Sequence, residues 1–461
     1  MLLTIAFLHR YTGVAVGWLM TLWCLSGFVM MYQGYPELTN AERLRGLASL
    51  NLNGCCQNPP ALPVQDLSGT RINMVSGVPV LRVPGAGAFD LRSGEALPDR
   101  TAQQVQEIAA SYGRGAGLVS APSQLAFDRI DQWTLMSAGR NHPVHHLAFN
   151  DAAGSEVYVS GNSGEVIQDT NRRERTWAWM GAIPHWLYPT VLRSKPRVWT
   201  QVVIWTAAAG TFLTVAGLFL GVSRINWRRR GRKFPFRGLW NWHHIAGVFF
   251  GVLALTWVFS GLMTMNPWGL LENNDDGIYG HDLTGTARWQ ELQRFMLEHG
   301  DELSRYVEIQ VTPFNGVFHV TAFRQDGSSQ RLNAMASNVE IQRADVAAAS
   351  AHLGARVLSL DSLRQEDAYY YGHKQAVALP VFRLILDDVG HTRIYVDPAT
   401  GTVQTLDLNS RRTRWWESAL HNMDLPGLRT RPVWDFIVLL LLARVTAVCA
   451  TGTWLAWRVL R

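Results

Sequence analysis

Four runs of apolar residues stand out along the chain, at roughly 5–33, 197–223, 240–265 and 433–457. Each is long enough to cross a hydrocarbon layer of ~30 Å as a helix. Between them lie two polar segments, about 34–196 and 266–432, with the composition of water-soluble protein. Within these segments short alternating apolar runs predict strands, and "TAQQVQEIAASYG" and "RADVAAASAHLG" predict helices. The pattern predicts an α-helical integral membrane protein with four transmembrane helices, over 1–33, 197–225, 239–266 and 433–461. Two α+β extramembrane domains are expected over 34–196 and 267–432, each ending in a His-bearing junction, with a basic loop over 226–238. The first run is expected to stay in place as a span. No basic region precedes it, it is too long for a signal-peptide core, and no small-x-small site follows. Trp23 also stands where a lipoprotein signal before Cys24 needs a small residue.

The same pattern is written twice. "HRYTGVAVGWLMTLWCLSGFVMM" from His9 aligns without a gap to "HHIAGVFFGVLALTWVFSGLMTM" from His243, an offset of 234 positions. His9, Gly13, Gly17, Trp23, Ser26 and Gly27 all recur there. "VYVSGNSGEV" (157–166) matches "IYVDPATGTV" (394–403) at an offset of 237, and "HPVHHLAFND" faces "LPVFRLILDD" at the same offset. At an offset of 236, His185, Leu192, Arg193 and Pro196 match His421, Leu428, Arg429 and Pro432. Each half reads as span, domain, His-bearing junction, span. Both halves enter the membrane from the same side, as parallel repeats about an axis along the membrane normal.

Charge sets the orientation. The loop after the second run carries Arg224, Arg228, Arg229, Arg230, Arg232, Lys233 and Arg237 with no acid, which places it in the cytoplasm. Arg458 and Arg461 agree. Both termini are then cytoplasmic, and both large domains lie outside, in the periplasm of a bacterium with an inner membrane. The net charge of +6 comes mostly from this loop, so nucleic acid is not an expected partner; the lipid bilayer is. Cysteine adds little. Cys24 and Cys449 lie inside spans, and the adjacent Cys55 and Cys56 are placed to oxidise together or with a partner. No C-x-x-C-H occurs, so any haem is held without a covalent link.

Of the 14 histidines, four repeat at matching positions: His9 with His243, and His185 with His421. Ionisable groups at membrane depth are costly and mark function by default. The topology puts the first pair near the cytoplasmic ends of the first and third spans. The second pair falls at the periplasmic entrances of the second and fourth. At 100° per residue, Gly13, Met20, Gly27 and Met31 lie within about 40° of the His9 face. Gly247, Ala254, Gly261 and Met265 lie likewise on the face of His243. Such glycines also serve plain helix–helix packing. Occurring twice with histidine at the same end, they make a groove for a flat, axially ligated cofactor such as haem. Zinc would want four ligands, and no carboxylate or cysteine recurs beside these histidines. Two layers imply two haems stacked across the membrane. Arg10, Arg193 and Arg429 are candidates for haem propionates or for interfacial snorkelling. Arg444, mid-span in the fourth helix, either meets a buried anion or snorkels. His244 is turned about 100° from His243 and matches Arg10, so it reads as an interfacial or propionate contact.

Two further groups carry less. In "NHPVHH" the residues His142, His145 and His146 fall on a predicted strand, where surface histidines are the plainer reading than a metal site. In "AYYYGH" the residues Tyr369, Tyr370, Tyr371 and His373 read as sheet packing or as an aromatic surface for a ligand.

The stretches "FLHRYTGVAVGWLMTLWCLSGFVMM", "YYYGH…LPVFRL", "IYVDPATG" and "ALHNMDLPG" resemble the PepSY-associated transmembrane family, iron-regulated inner-membrane proteins that include ferric-siderophore reductases. The resemblance runs over nearly the whole chain. It implies four spans, two periplasmic PepSY-like domains and, in reductase members, two b-type haems held by span histidines, here His9, His243, His185 and His421. The first domain departs from the family pattern, with Trp133 and Met136 opposite Tyr370 and His373.

The expected function is therefore a haem b oxidoreductase that passes electrons outward to a ferric siderophore or other iron chelate. Neither G-x-G-x-x-G nor a P-loop is present, so the expected donor is a quinol or a separate redox protein. The competing readings are a peptide-binding or envelope-protease-regulating membrane protein, and a metal transporter that uses the histidines as ligands.

Overall fold

The computed structural model describes residues 1–57, 60–135, 141–227, 233–272, 278–373 and 376–460. Arg228, Arg229, Arg230 and Arg232 of the basic loop, Met136 and Arg461 lie outside them.

The four apolar runs form helices Leu2–Met30, Pro196–Ser223, Gly238–Thr264 and Val433–Leu460, each long and apolar enough to cross a membrane. The second opens with Pro196 at its first turn, where the missing N–H costs nothing. The first span packs against the second and the fourth, and the third does the same. First and third thus stand on the diagonal of a four-helix bundle, as parallel repeats require. Small residues allow the close approach. Gly17 lies against Thr453 and Gly13 against Ala456, and the hydroxyls of Thr21 and Thr453 meet at 3.0 Å.

Among the described residues the extramembrane segments build three antiparallel sheets. Strands β1 (Arg71–Val75), β2 (Val78–Val83) and β3 (Gly87–Asp90) come from the first segment. So do β4 (Ser123–Phe127), β5 (Val144–Ala148), β6 (Glu156–Ser160) and β7 (Val166–Thr170). The second segment gives β8 (Glu308–Val311), β9 (His319–Phe323) and β10 (Ser329–Asn333). It also gives β11 (Val357–Leu363), β12 (Val381–Leu386), β13 (Arg393–Val396) and β14 (Val403–Leu406). β4–β7 and β11–β14 each form a four-stranded sheet in chain order.

The remaining strands do not stay within their own segments. They join as one six-stranded sheet, β10-β9-β8-β1-β2-β3. At its centre β1 pairs with β8, Ile72 directly opposite Ile309. These two residues are 237 positions apart, the offset of the repeat, so the pseudo-two-fold axis passes between them. The core beneath mixes both segments, with Leu67, Ile72 and Leu81 packed among Leu292, Phe295 and Ile309. The symmetry extends to buried polar pairs. Tyr158 donates to Asp131 at 2.7 Å, and its counterpart Tyr395 donates to Asp367 at 2.9 Å. The chain is thus a four-helix membrane protein crowned by an α+β body to which both segments contribute.

Candidate functional site

The four repeated histidines are set in two layers. His9 sits on the first span and His243 on the third, the diagonal pair, within electrostatic reach of one another. His185 ends the short helix Ala182–His185, packed on the first span. His421 ends the π-helical turn Trp415–His421, packed on the third. His185 and His421 face each other with ring centres 6.0 Å apart and planes at 63°. From His9 to Ser26, beside which His185 sits, the first span rises about 25 Å at ~1.5 Å per residue.

Each imidazole is held through Nδ1. His185 Nδ1 donates to the Trp23 carbonyl at 3.1 Å and lies 3.1 Å from the Ser26 hydroxyl. Its counterpart His421 donates to the Trp257 carbonyl at 3.2 Å and lies 3.1 Å from the Ser260 hydroxyl. In the other layer His9 Nδ1 donates to the Leu213 carbonyl at 3.0 Å, and His243 Nδ1 lies 3.1 Å from the Thr451 hydroxyl. A carbonyl oxygen only accepts, so in three of the four rings the proton is fixed on Nδ1 and the lone pair on Nε2. A ligating histidine is oriented in the same way, by a hydrogen bond from its other nitrogen.

Glycines make the room. A side chain at Gly217 would meet the His9 ring at 2.7 Å, and one at Gly452 the His243 ring at 2.8 Å. One at Gly261 would meet His421 at 3.1 Å, while at Gly247, one turn along from His243, an added Cβ meets open space. Two imidazoles bound to one metal ion at about 2 Å each hold their ring centres roughly 6 Å apart, the separation of His185 and His421. The residues present therefore fit a haem iron bound between one histidine from each half.

Burial, with His421 alongside, pushes the His185 imidazole down to about 4, and burial lowers His421 as well. Both are neutral near pH 7, the form able to bind a metal. The unfolded imidazole titrates near 6.5. The contribution of the neutral pair is thus complete above about pH 6.5 and is lost as pH falls toward 4. For His185 alone this is about 3 kcal/mol. Thermal melts of haem-depleted protein in detergent should fall steadily from pH 7 to 4.5, and less steeply for His185→Gln. Equal slopes in the two proteins would refute the assignment.

The remaining candidates are placed differently. His244 is buried, donates from Nε2 to the Gly221 carbonyl at 2.6 Å and is flanked by Phe234 and Phe236. It closes the end of the second span, with its Nε2 committed to that carbonyl. Arg193 lies over Tyr188 and Trp199, and Arg429 lies 4.1 Å over Tyr371. Arg10 is exposed, and Arg444 is exposed on the outer face of the fourth span rather than turned toward a buried anion.

His142 and His146 each meet their own carboxylate, Asp128 at 2.5 Å and Glu156 at 2.9 Å. Among the described residues no three His, Cys, Asp or Glu side chains gather around one point. In the YYYGH motif Tyr370 stacks on Tyr395 and Tyr371 carries Arg414 and Arg429. His373 donates from Nδ1 to Asp424 at 2.7 Å, which ties the motif to the turn that follows His421. Cys55 and Cys56 form a buried vicinal disulfide.

Sequence reasoning did not assign the Nδ1 anchors or the facing glycines Gly217 and Gly452. The anchors left one signal, since Ser26-Gly27 recurs as Ser260-Gly261.

No curated protein matches the chain. A family model described as the PepSY-associated TM region matches residues 6–459, and with four apolar helices, the repeat and the paired histidines all falling inside that match, the chain belongs to the PepSY-associated transmembrane family.

Proposed function

We propose that this protein is a di-haem b oxidoreductase of a bacterial inner membrane that reduces a ferric chelate of the siderophore type on the periplasmic side. The observation that carries this reading is the treatment of the four repeated histidines. Each is held at Nδ1, in three cases by a carbonyl that leaves Nε2 as the free ligand atom. Bound haem would supply one-electron redox chemistry. The protein supplies the rest. His9 and His243 hold one iron, and His185 and His421 the other. Ser26 and Ser260 orient the second pair, and the glycines leave space for the ring.

Topology gives the direction. Arg224, Lys233 and Arg237 flank the connection between the second and third spans, which puts that end in the cytoplasm. The α+β body then lies in the periplasm, an oxidising compartment that suits the Cys55–Cys56 disulfide. The His185–His421 layer is nearest that body and is the exit for electrons. Each ferric ion takes up one electron, and ferrous iron is released because it binds hard oxygen chelators weakly. The donor is a quinol or a redox protein.

The visible spectrum of the purified protein tests this. A Soret band that sharpens and shifts on dithionite, at two haems per chain by pyridine haemochrome, is expected. Well-folded protein without a Soret band, even from haem-supplied cells, would exclude it and favour a peptide-binding role for the extramembrane body.

A further inference from the structure

Well away from the histidine layers, the six-stranded sheet carries a buried charged cluster that nothing above uses. Arg43 grips Glu308 with both guanidinium nitrogens, at 2.6 and 2.7 Å. Arg71 reaches Glu165 at 3.1 Å and Glu308 at 3.4 Å. Arg82 Nε lies 3.4 Å from Glu165 and donates to Asn73 at 3.2 Å. Three guanidinium groups thus share two carboxylates, which leaves one positive charge in excess. Glu308, Asn73 and Arg82 are 1 %, 0 % and 7 % exposed. Buried charge is tolerated only when paired, and Arg82 Nη2 is buried with no hydrogen-bond partner.

Arg82 also lines a cavity of about 290 Å³. The cavity lies between β1, β2, the helix Ala102–Gly115 and the turn at Gly164 and Glu165. Leu47, Met74, Val75, Ile108 and Val166 give its wall an apolar part, and Arg43, Asn73, Ser111, Tyr112 and Glu165 add polar groups. Of the other charged groups that line it, Arg43 and Glu165 belong to the cluster already counted, and Glu107 and Arg114 are exposed and opposite in sign. The other half of the molecule shows what a filled version looks like. There the equivalent turn, at Gly401, is packed directly by Arg331, which donates to the Thr400 carbonyl at 3.3 Å and the Thr312 hydroxyl at 3.2 Å. Glu165 is replaced by Thr402 at the matching position. Both arginines keep buried nitrogens without partners, but Arg331 fills the space at its turn, whereas a cavity remains beside Arg82, where Val75 and Arg100 pack the Gly164 turn.

We infer that this cavity is a binding site for a small organic carboxylate, a single negative charge on a compact apolar body, with Arg82 as its anchor. One carboxylate cancels the one excess charge, whereas a phosphate dianion would overshoot it. An apolar tail suits the apolar part of the wall, and a guanidinium matches a carboxylate with two parallel hydrogen bonds. The same chemistry is offered by a free organic acid and by the C-terminus of a peptide ending in an apolar residue.

Titration calorimetry on the full-length protein in detergent decides the matter with three probes: 4-methylpentanoate, its neutral amide, and N-acetyl-glycyl-leucine. The acid or the capped dipeptide is expected to bind at least tenfold more tightly than the amide, and the tighter of the two identifies the source. Arg82→Gln should remove the preference for the charged probe. Because that variant disturbs Glu165 and its folding is at risk, Ile108→Trp, which fills the space from a half-buried position, should independently abolish binding with the melting temperature unchanged. Equal binding of acid and amide, binding that survives Ile108→Trp, or no binding by any probe would overturn the proposal.

Discussion

Protein carrying His185→Ala or His421→Ala should purify with half the haem of the unsubstituted chain, and so should His9→Ala or His243→Ala. The expectation rests on the proposed di-haem function. Each layer takes one imidazole from each half of the repeat, so either substitution removes one of two axial ligands and the Nδ1 anchor that oriented it. The surviving histidine holds its own anchor but has no partner across the axis. Combining two substitutions within one layer should cost no more haem than one alone, whereas one substitution in each layer should leave none. His244→Ala is the control. Its Nε2 is already committed to the Gly221 carbonyl, so both haems should remain while the end of the second span loosens. Haem per chain by pyridine haemochrome, with the low-spin signal by electron paramagnetic resonance, reads all of these. Full haem content in every single variant, or loss confined to His244→Ala, would sink the assignment.

The largest effect on stability is expected from Glu308→Ala. Glu308 comes from the second extramembrane segment, but its partners Arg43, Arg71 and Asn73 all come from the first. Its carboxylate is 1 % exposed, so truncation strands the Arg43 guanidinium without a carboxylate and leaves Arg71 and Arg82 to share Glu165. Breaking a buried pair by removing one partner costs about 3–5 kcal/mol, well above the net worth of the pair itself. The loss should fall on the joint between the segments. Chemical denaturation in detergent should therefore show the extramembrane body unfolding early, with the helical signal of the spans retained. A change below about 1 kcal/mol would show that water reaches the cluster and screens it. Glu308→Gln should lie between the two, because the amide keeps one acceptor oxygen for the arginines but loses the charge and turns the other oxygen into a donor.

The spans, the repeat and the four histidines could be read from the sequence because each leaves a periodic or self-similar trace. A long apolar run has few alternatives, and a gapless match from His9 to His243 fixes which residues correspond. The two-fold axis itself was legible in the offset of 237 that Ile72 and Ile309 share. What the offset could not say is that these residues would face each other. Strand pairing between distant segments leaves no local signal, because β1 reads the same whether it ends a sheet or joins two. The two segments were therefore expected as separate domains, and the shared sheet appears only in three dimensions. Side-chain direction was the other gap. Arg444 on an apolar helix suggests a buried anion, but whether it faces the bundle or its outside depends on helix rotation, which packing sets. The Nδ1 anchors were out of reach for a similar reason, since a backbone carbonyl carries no residue identity.

The joint between β1 and β8 also has a consequence in time. During synthesis, β1 emerges 237 positions before its partner, a delay of roughly ten to fifty seconds at ~5–20 residues per second. For that interval its β8-facing edge is a row of unpaired amides and carbonyls, the kind of edge that recruits whatever strand is nearest. Two membrane crossings must also be completed before the correct strand arrives. The first half of this protein therefore waits, exposed, for the second, and it is during this interval rather than in the finished fold that the chain is most open to pairing with the wrong neighbour.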